Sequence, residues 1–511
     1  MVSSAYGNGH WIFRWHYLFA ALASIAFSAW GAVAVSMPNP DAALYLMAAD
    51  YFAVGQWTDG LSIYRWPGYS LLIAAIMVLT GAKALLAAQI ANGLLTLGTT
   101  TAFIALASRL TNGDKAFVTV AAVMIVFQPQ LMELRPWVIR DHGYLCFFLT
   151  SVYFAVADNQ QPSLLRKLAL FGSLVLATLF RIEGLYLCLL VAVYYVLMRL
   201  RSVTQQASLI AIFIVATAAL LPLIYGIWSS GTFKNWMSGN IVPAQNPLFS
   251  PEILHRVETL EKEVLNLGSG HGWQAYISVV AGIAFFQIVR AFTPVYAVLA
   301  FFAFLPHRLL PRRATLPVVW FAAGQLPMFF LFTFIVALLD WRYPMAFALM
   351  LMFAVVATVT ASWRELLMAR PRAFLVFPAI VIAFAVSWAL DIPRHDRLAY
   401  YKEAADWIRD NVPPGSHIWM NEPRIAYFSG HAYRDVAGVA QIFFMPPPEF
   451  ETQGDIDVFV VSSHDLTGNR VRLPDLPSPP QLLKTFQGAD GDSVQVLVSC
   501  PEMKECKLQP R

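Results

Sequence analysis

Charge is what this chain has least of: across 511 residues only 13% are Asp, Glu, Lys or Arg, against about a quarter in soluble domains. With 58% hydrophobic and 14% aromatic residues beside that scarcity, a water-soluble enzyme is excluded. The basic residues fall in small groups between apolar runs and the net charge is only +4, so there is no continuous basic face for nucleic acid. No internal repeat or low-complexity run is present, which counts against a repeat-built transporter. Only four cysteines occur. Cys146 and Cys188 fall in apolar runs and read as small buried hydrophobes, whereas Cys500 and Cys506 lie in a polar tail where an oxidising compartment would let them pair.

What is abundant is the long apolar run. A spanning helix needs about 20 predominantly apolar residues, and short cytoplasmic loops are enriched in Lys and Arg. Runs at 15–36, 83–108, 116–132, 143–157, 168–180, 183–198, 208–228, 275–303, 315–339, 343–362 and 373–390 predict a multi-pass α-helical membrane protein of about 11 spans. The first run follows Arg14 with no small-residue cleavage site after it and reads as an uncleaved anchor. With the N-terminus cytoplasmic, five interior turns receive Arg109 with Lys115, Arg166 with Lys167, Arg199 with Arg201, Arg308 with Arg312 and Arg313, and Arg364 with Arg370 and Arg372. That parity requires Pro67–Thr80, a short helix opened by Trp66-Pro67-Gly68, to be juxtamembrane or re-entrant. It places loops 37–82, 128–142 and 229–274 and everything after Asp391 on the outer face.

The chain therefore divides into a membrane domain, 1–390, and an outer-face domain, 391–511. In the latter, Leu398, Tyr401, Ala405 and Ile408 recur at helical spacing until Pro413-Pro414-Gly415, and His417–Met420, Ile456–Val461 and Val494–Val498 read as strands. A small α/β domain follows, with no glycine fingerprint for phosphate and no metal-ligand spacing; it reads as a cap or recognition lobe. In the loop before it, Ile253, Val257, Leu260, Val264 and Leu267 share one face of Pro251–Leu267, an amphipathic helix on the membrane surface. Gly268-Ser269-Gly270-His271-Gly272 then reads as a hinge.

Where charge is scarce, each charge near the membrane is informative. Asp41 in Pro38-Asn39-Pro40-Asp41 sits at a helix N-cap position, suited either to capping or, at a membrane boundary, to taking a proton from an acceptor. Glu133-Leu134-Arg135-Pro136-Trp137-Val138-Ile139-Arg140-Asp141-His142 offers a self-neutralising Arg140–Asp141 neighbour pair, or an Asp141 that orients an acceptor or a cation while Arg140 or Arg135 meets phosphate. His142 alone establishes no metal site. Arg181 with Glu183, Arg290, and Asp340 with Arg342 are ionisable groups at membrane depth, either local pairs or a site. Arg65, Arg140, Arg181 and Arg342 all fall on the predicted outer face, where guanidinium suits an anionic head group.

Pro40-Asp41-Ala42-x-x-Tyr45-x-x-x-Ala49, then Trp66-Pro67-Gly68-Tyr69, then Arg140-Asp141 before a later span together resemble the GT-C superfamily of membrane glycosyltransferases. That superfamily includes the protein O-mannosyltransferases and the aminoarabinose transferase of lipid A. Asp340-Trp341-Arg342-Tyr343 and the tail segment Ala405–Gly415 extend the resemblance. It implies a polyprenyl-phosphate-linked sugar donor and transfer with inversion, by one displacement, to a glycan, lipid or protein acceptor. On that basis Asp41 matches the first-loop base, Asp141 the second-loop acid, and Arg342 with Tyr343 the basic-aromatic pair near the lipid phosphate. Arg65, Arg140, Arg181 and Tyr45 join that phosphate set. Ala42 stands where many members carry a second acid, and Arg65-Trp66-Pro67-Gly68 where some carry Lys-Pro-Pro, so a divalent metal cofactor and the subfamily stay open. The expected place is the bacterial cytoplasmic membrane with the C-terminal domain periplasmic. The alternatives are a lipid-linked sugar flippase or other transporter, whose charges would line a path through the membrane, and a non-catalytic envelope assembly protein.

Overall fold

The computed structural model describes residues 9–35, 37–200, 251–264, 271–303, 310, 312–336, 340–369, 398–413, 416, 418–431, 436–437, 458–462, 481–488 and 491–498. The membrane part is helical: α1 (Gly9–Ala34), α2 (Ala42–Ala53), α3 (Trp57–Ile63), α4 (Gly68–Thr80), α5 (Ala84–Thr111), α6 (Lys115–Val126), α7 (Pro129–Leu134), α8 (Asp141–Gln160), α9 (Leu164–Phe180), α10 (Glu183–Leu197), α11 (Pro251–Thr259), α12 (Gly272–Phe292), α13 (Pro294–Ala303), α14 (Arg312–Ala323), α15 (Gln325–Val336) and α16 (Met345–Ala369). Among the described residues, five stretches are long and apolar enough to cross a membrane, namely Trp15–Ala34, Ala84–Thr111, Gly272–Phe292, Ala314–Phe334 and Met345–Glu365. The chain is an integral membrane protein. On α9, Leu164, Leu168, Phe171, Val175 and Leu179 are exposed at helical spacing, a stripe that only lipid would cover favourably.

The eleven expected spans are thus represented by five full-length stretches and several shorter helices among the described residues. Run 275–303 is broken at Thr293, whose φ of 66° no helix accommodates. Run 116–132 stops at Val126, and Gln128 caps the next short helix by accepting from Leu131 N. Runs 208–228 and 373–390, the hinge at 268–270, Cys500 and Cys506 lie outside the described residues. The 13 residues of α4 rise about 20 Å, short of the roughly 30 Å hydrocarbon core.

The threonines inside this bundle are satisfied locally. On α5, Thr96, Thr99, Thr100 and Thr101 each return a hydroxyl bond to the carbonyl four residues earlier, at 2.7 to 3.0 Å. This removes the penalty of a bare hydroxyl in an apolar interior. Phe103 of α5 stacks on Phe353 of α16 at 4.3 Å, tying the early helices to the late ones.

The Trp-Pro-Gly segment is a wedge against the C-terminal end of α9. Trp66 Nε1 donates to Thr178 O at 3.0 Å, and a Cβ at Gly68 would run into the Leu179 carbonyl. A Cβ at Gly143 would run into the Phe180 ring. Both glycines allow close approach just before Arg181, so α9 delivers that arginine to a fixed place. Gly68→Ala should lower the thermal-unfolding midpoint in detergent, by an overpacking cost of about 1–3 kcal/mol; an unshifted midpoint would show that α4 has room to move.

The polar lobe contains α17 (Ala399–Asn411), β1 (Ile418–Met420), α18 (Pro423–Ser429), β2 (Val436–Ala437), β3 (Val458–Ser462), β4 (Gln481–Gln487) and β5 (Ser493–Val498). The sheet order is β2-β1-β3-β5-β4, parallel on the β2-β1-β3 side and antiparallel on the other. Its inner edge is fixed by Asn421, which exchanges hydrogen bonds with the Ser462 backbone, and by a buried Glu422–Arg424 pair under Tyr401. The lobe rests on α2: Tyr427 donates to Asp50 Oδ2 at 3.0 Å. Within loop 229–274, α11 carries Ile253 and Val257 inward against Tyr276 and Val280 of α12, so that apolar face packs on protein.

Candidate active site

Four short segments converge on one cluster of charge: the start of α2, the segment before α8, the α9–α10 junction, and residues 340–344 before α16. Asp41 occupies the N-cap position of α2, yet its side chain makes no capping bond; instead Asp41 Oδ2 accepts from Arg342 Nη1 at 3.0 Å. The capping reading gives way because a guanidinium satisfies the carboxylate better than one amide does. Arg342 Nε also lies 3.2 Å from Asp340 Oδ2, so the local Asp340–Arg342 pair exists and is extended across 301 residues to Asp41.

Asp141, the first residue of α8, is buried and ion-paired with Arg181, which simultaneously holds Glu183. The neighbour pairing of Arg140 with Asp141 therefore does not form. Arg140 turns its guanidinium over the Tyr64 ring at 5.7 Å and makes no ion pair with the described residues. Tyr45, buried beside it, packs edge-on against Tyr64 and Tyr69. Tyr343 lies between the two paired arginines, with Arg181 over its ring at 4.7 Å and Arg342 at 5.6 Å. Trp137 and Trp341, which the sequence motifs contain without a role of their own, complete the floor: Arg342 lies over Trp137 at 5.7 Å and the two indoles meet edge to face at 6.2 Å.

Two expected cations stand apart. Arg135 is 3% exposed and donates from Nη1 to Ser24 and Ser28 of α1, so that edge of its guanidinium faces the bundle. Arg65 is half-buried and forms neither ion pair nor hydrogen bond among the described residues. Arg290 reaches Glu133 at 3.8 Å and covers Trp341. Burial holds the Glu133 and Asp340 carboxyls above the usual range, against the opposite pull of Arg290 and, for Asp340, of Arg342.

Beside Arg181 and Tyr343 opens a small slot of about 40 Å³, lined by Phe329, Phe332 and Phe347 and by Tyr144, Glu183 and Gln325. Glu183 Oε2 and Gln325 Nε2 are buried there with no hydrogen-bond partner among the described residues. Among those residues no three His, Cys, Asp or Glu side chains group as a metal ion requires.

No protein-family model and no curated protein matches the sequence. Solved structures do. The chain is similar to the ArnT structure from Cupriavidus metallidurans in the apo state (13% identity, 94% of this chain and 98% of that one, TM-score 0.54) and to the same protein bound to undecaprenyl phosphate (13% identity, 94% and 98%, TM-score 0.51). It is also similar to the archaeal oligosaccharyltransferase AglB from Archaeoglobus fulgidus, in complex with an inhibitory peptide and a dolichol-phosphate (12% identity, 88% and 70%, TM-score 0.50). Over most of its length, this integral membrane protein has the fold of the GT-C glycosyltransferases ArnT and AglB.

Proposed function

We propose that the protein transfers a sugar from a polyprenyl-phosphate-linked donor to an acceptor at the outer face of the bacterial cytoplasmic membrane, with the polar lobe periplasmic. The observation that carries this reading is the meeting of the Asp41–Arg342 and Asp141–Arg181 pairs around Tyr343, where two guanidinium groups flank one aromatic ring. The fold neighbours seen with undecaprenyl phosphate and dolichol-phosphate support the donor class.

The acceptor oxygen attacks the anomeric carbon from the face opposite the phosphate. That C–O bond forms while the bond from the anomeric carbon to the phosphate oxygen breaks, and its electron pair leaves with the polyprenyl phosphate. Inversion follows from the single displacement. Asp41 takes the acceptor proton. Arg140, not held by a carboxylate among the described residues, and Arg181 and Arg342 receive the charge growing on the phosphate. Arg342 is shared: as phosphate draws it away, Asp41 Oδ2 is released to accept the proton, so donor arrival and base availability are coupled. Asp141 holds Arg181 in place and helps orient the acceptor. Tyr45 and Tyr343 border the phosphate.

Purified protein in detergent, given lipid extracts containing polyprenyl-linked sugars, should consume one of them and release free polyprenyl phosphate, both followed by mass spectrometry. Detergent abolishes sidedness, so a flippase would leave the donor intact. An intact donor across the pool, with acceptor supplied, would overturn the reading.

A further inference from the structure

One buried peptide unit is gripped along both edges. The Trp137 carbonyl accepts from Asn92 Nδ2 at 2.7 Å and lies 3.1 Å from His142 Nε2. The N–H of the same unit, on Val138, donates to Asn39 Oδ1 at 2.7 Å. Since a carbonyl only accepts, His142 carries its proton on Nε2 in this contact, and its Nδ1 lies 3.2 Å from Thr96 Oγ1. Asn92 is in turn fixed by Tyr69, whose hydroxyl donates to Asn92 Oδ1 at 2.6 Å. Val138, Asn39, Asn92 and His142 are all buried.

The grip joins two of the segments that supply the site, the start of α2 and the stretch before α8, and borders a third through Trp137. Asn39 stands two residues before Asp41, Tyr69 belongs to the Trp-Pro-Gly-Tyr helix, and His142 follows Asp141. Trp137 itself lies beneath Arg342. Three polar side chains on one peptide are more than desolvation of that unit demands, and the arrangement leaves Asn39 Nδ2 buried without a partner among the described residues. Such an unmet donor costs about 1–3 kcal/mol, which a purely structural position would shed by substitution.

We infer that Asn39 and Asn92 are positioning residues that clamp the Trp137–Val138 peptide and so set the separation between the Asp41–Arg342 and Asp141–Arg181 pairs. Neither touches the reacting atoms. This rests on the transferase reading, but the clamp has a test that needs no substrate.

Asn39→Leu and Asn92→Leu, made in the full chain and purified in detergent, should each raise deuterium uptake in the 136–141 segment. Each should lower kcat by about 10²-fold, the cost of a misplacement near 1 Å, while the KM for the lipid-linked donor stays unchanged. Because both release the same peptide, the double variant should lose no more than about twofold beyond the worse single one. Wild-type uptake in the single variants, a loss carried by KM, or losses that multiply would each overturn the clamp. If a leucine variant does not fold, Asn92→Asp, which keeps the acceptor for Tyr69 and removes the amide donor to the Trp137 carbonyl, should move uptake and kcat in the same directions, and no movement would likewise overturn it. Should the wild-type protein transfer no sugar, the transferase reading falls and the uptake measurement alone decides the clamp.

Discussion

Asp41→Asn should lose sugar transfer by about 10³-fold, within the range for removing a general base, while expression and unfolding temperature stay at wild-type values. The side chain is 34% exposed and its one strong contact is the Arg342 Nη1 bond, which the asparagine carbonyl oxygen still accepts. Arg342 keeps Asp340 3.2 Å from its Nε, so no buried charge is stranded. Shape, hydrogen bond and helix start are preserved and only the capacity to take a proton is removed. Single-turnover transfer in detergent, with donor and acceptor saturating, measures the chemical step directly. A variant that turns over within a few-fold of wild type would remove Asp41 from the chemistry and leave it a partner of Arg342 alone.

Much of the site was legible because charge is rare. Arg181 with Glu183 and Asp340 with Arg342 could be read as local pairs in apolar surroundings, and both pairs exist. What adjacency could not supply was the third partner: Asp141 for one and Asp41 for the other, delivered by helix packing across 40 and 301 residues. The partners of Arg135 were hidden for the same reason, since its acceptors, Ser24 and Ser28, are more than a hundred residues away. The clamp was hidden differently. Asn39 between two prolines looks like turn chemistry, and Asn92 is one amide in a long apolar run, although an amide at membrane depth is itself a signal. In the lobe, β1, β3 and β5 lay within or beside the expected strands. β4 escaped because it is an exposed edge strand with a register shift between Leu482 and Lys484, so its pattern never alternates cleanly.

Arg181 carries the largest expected effect on the fold as well as on transfer. Its guanidinium is buried and holds two carboxylates, Asp141 and Glu183, with Tyr343 and Tyr144 on its faces. Arg181→Gln leaves both acids without their counter-charge, and breaking such a buried pair costs about 3–5 kcal/mol. The unfolding midpoint in detergent should fall sharply and transfer should disappear. Loss of fold and loss of function are then separated by neutralising the acids as well: Asp141→Asn and Glu183→Gln added to Arg181→Gln should recover most of the midpoint, because a hydrogen-bonded neutral network replaces the stranded charges. Transfer should stay absent, since nothing at that position then meets the departing phosphate. An Arg181→Gln protein that unfolds at the wild-type temperature would show that the acids are hydrated and not buried. A triple variant that regains transfer would show that the phosphate is met elsewhere, leaving Arg140 and Arg342 as the cations that receive it.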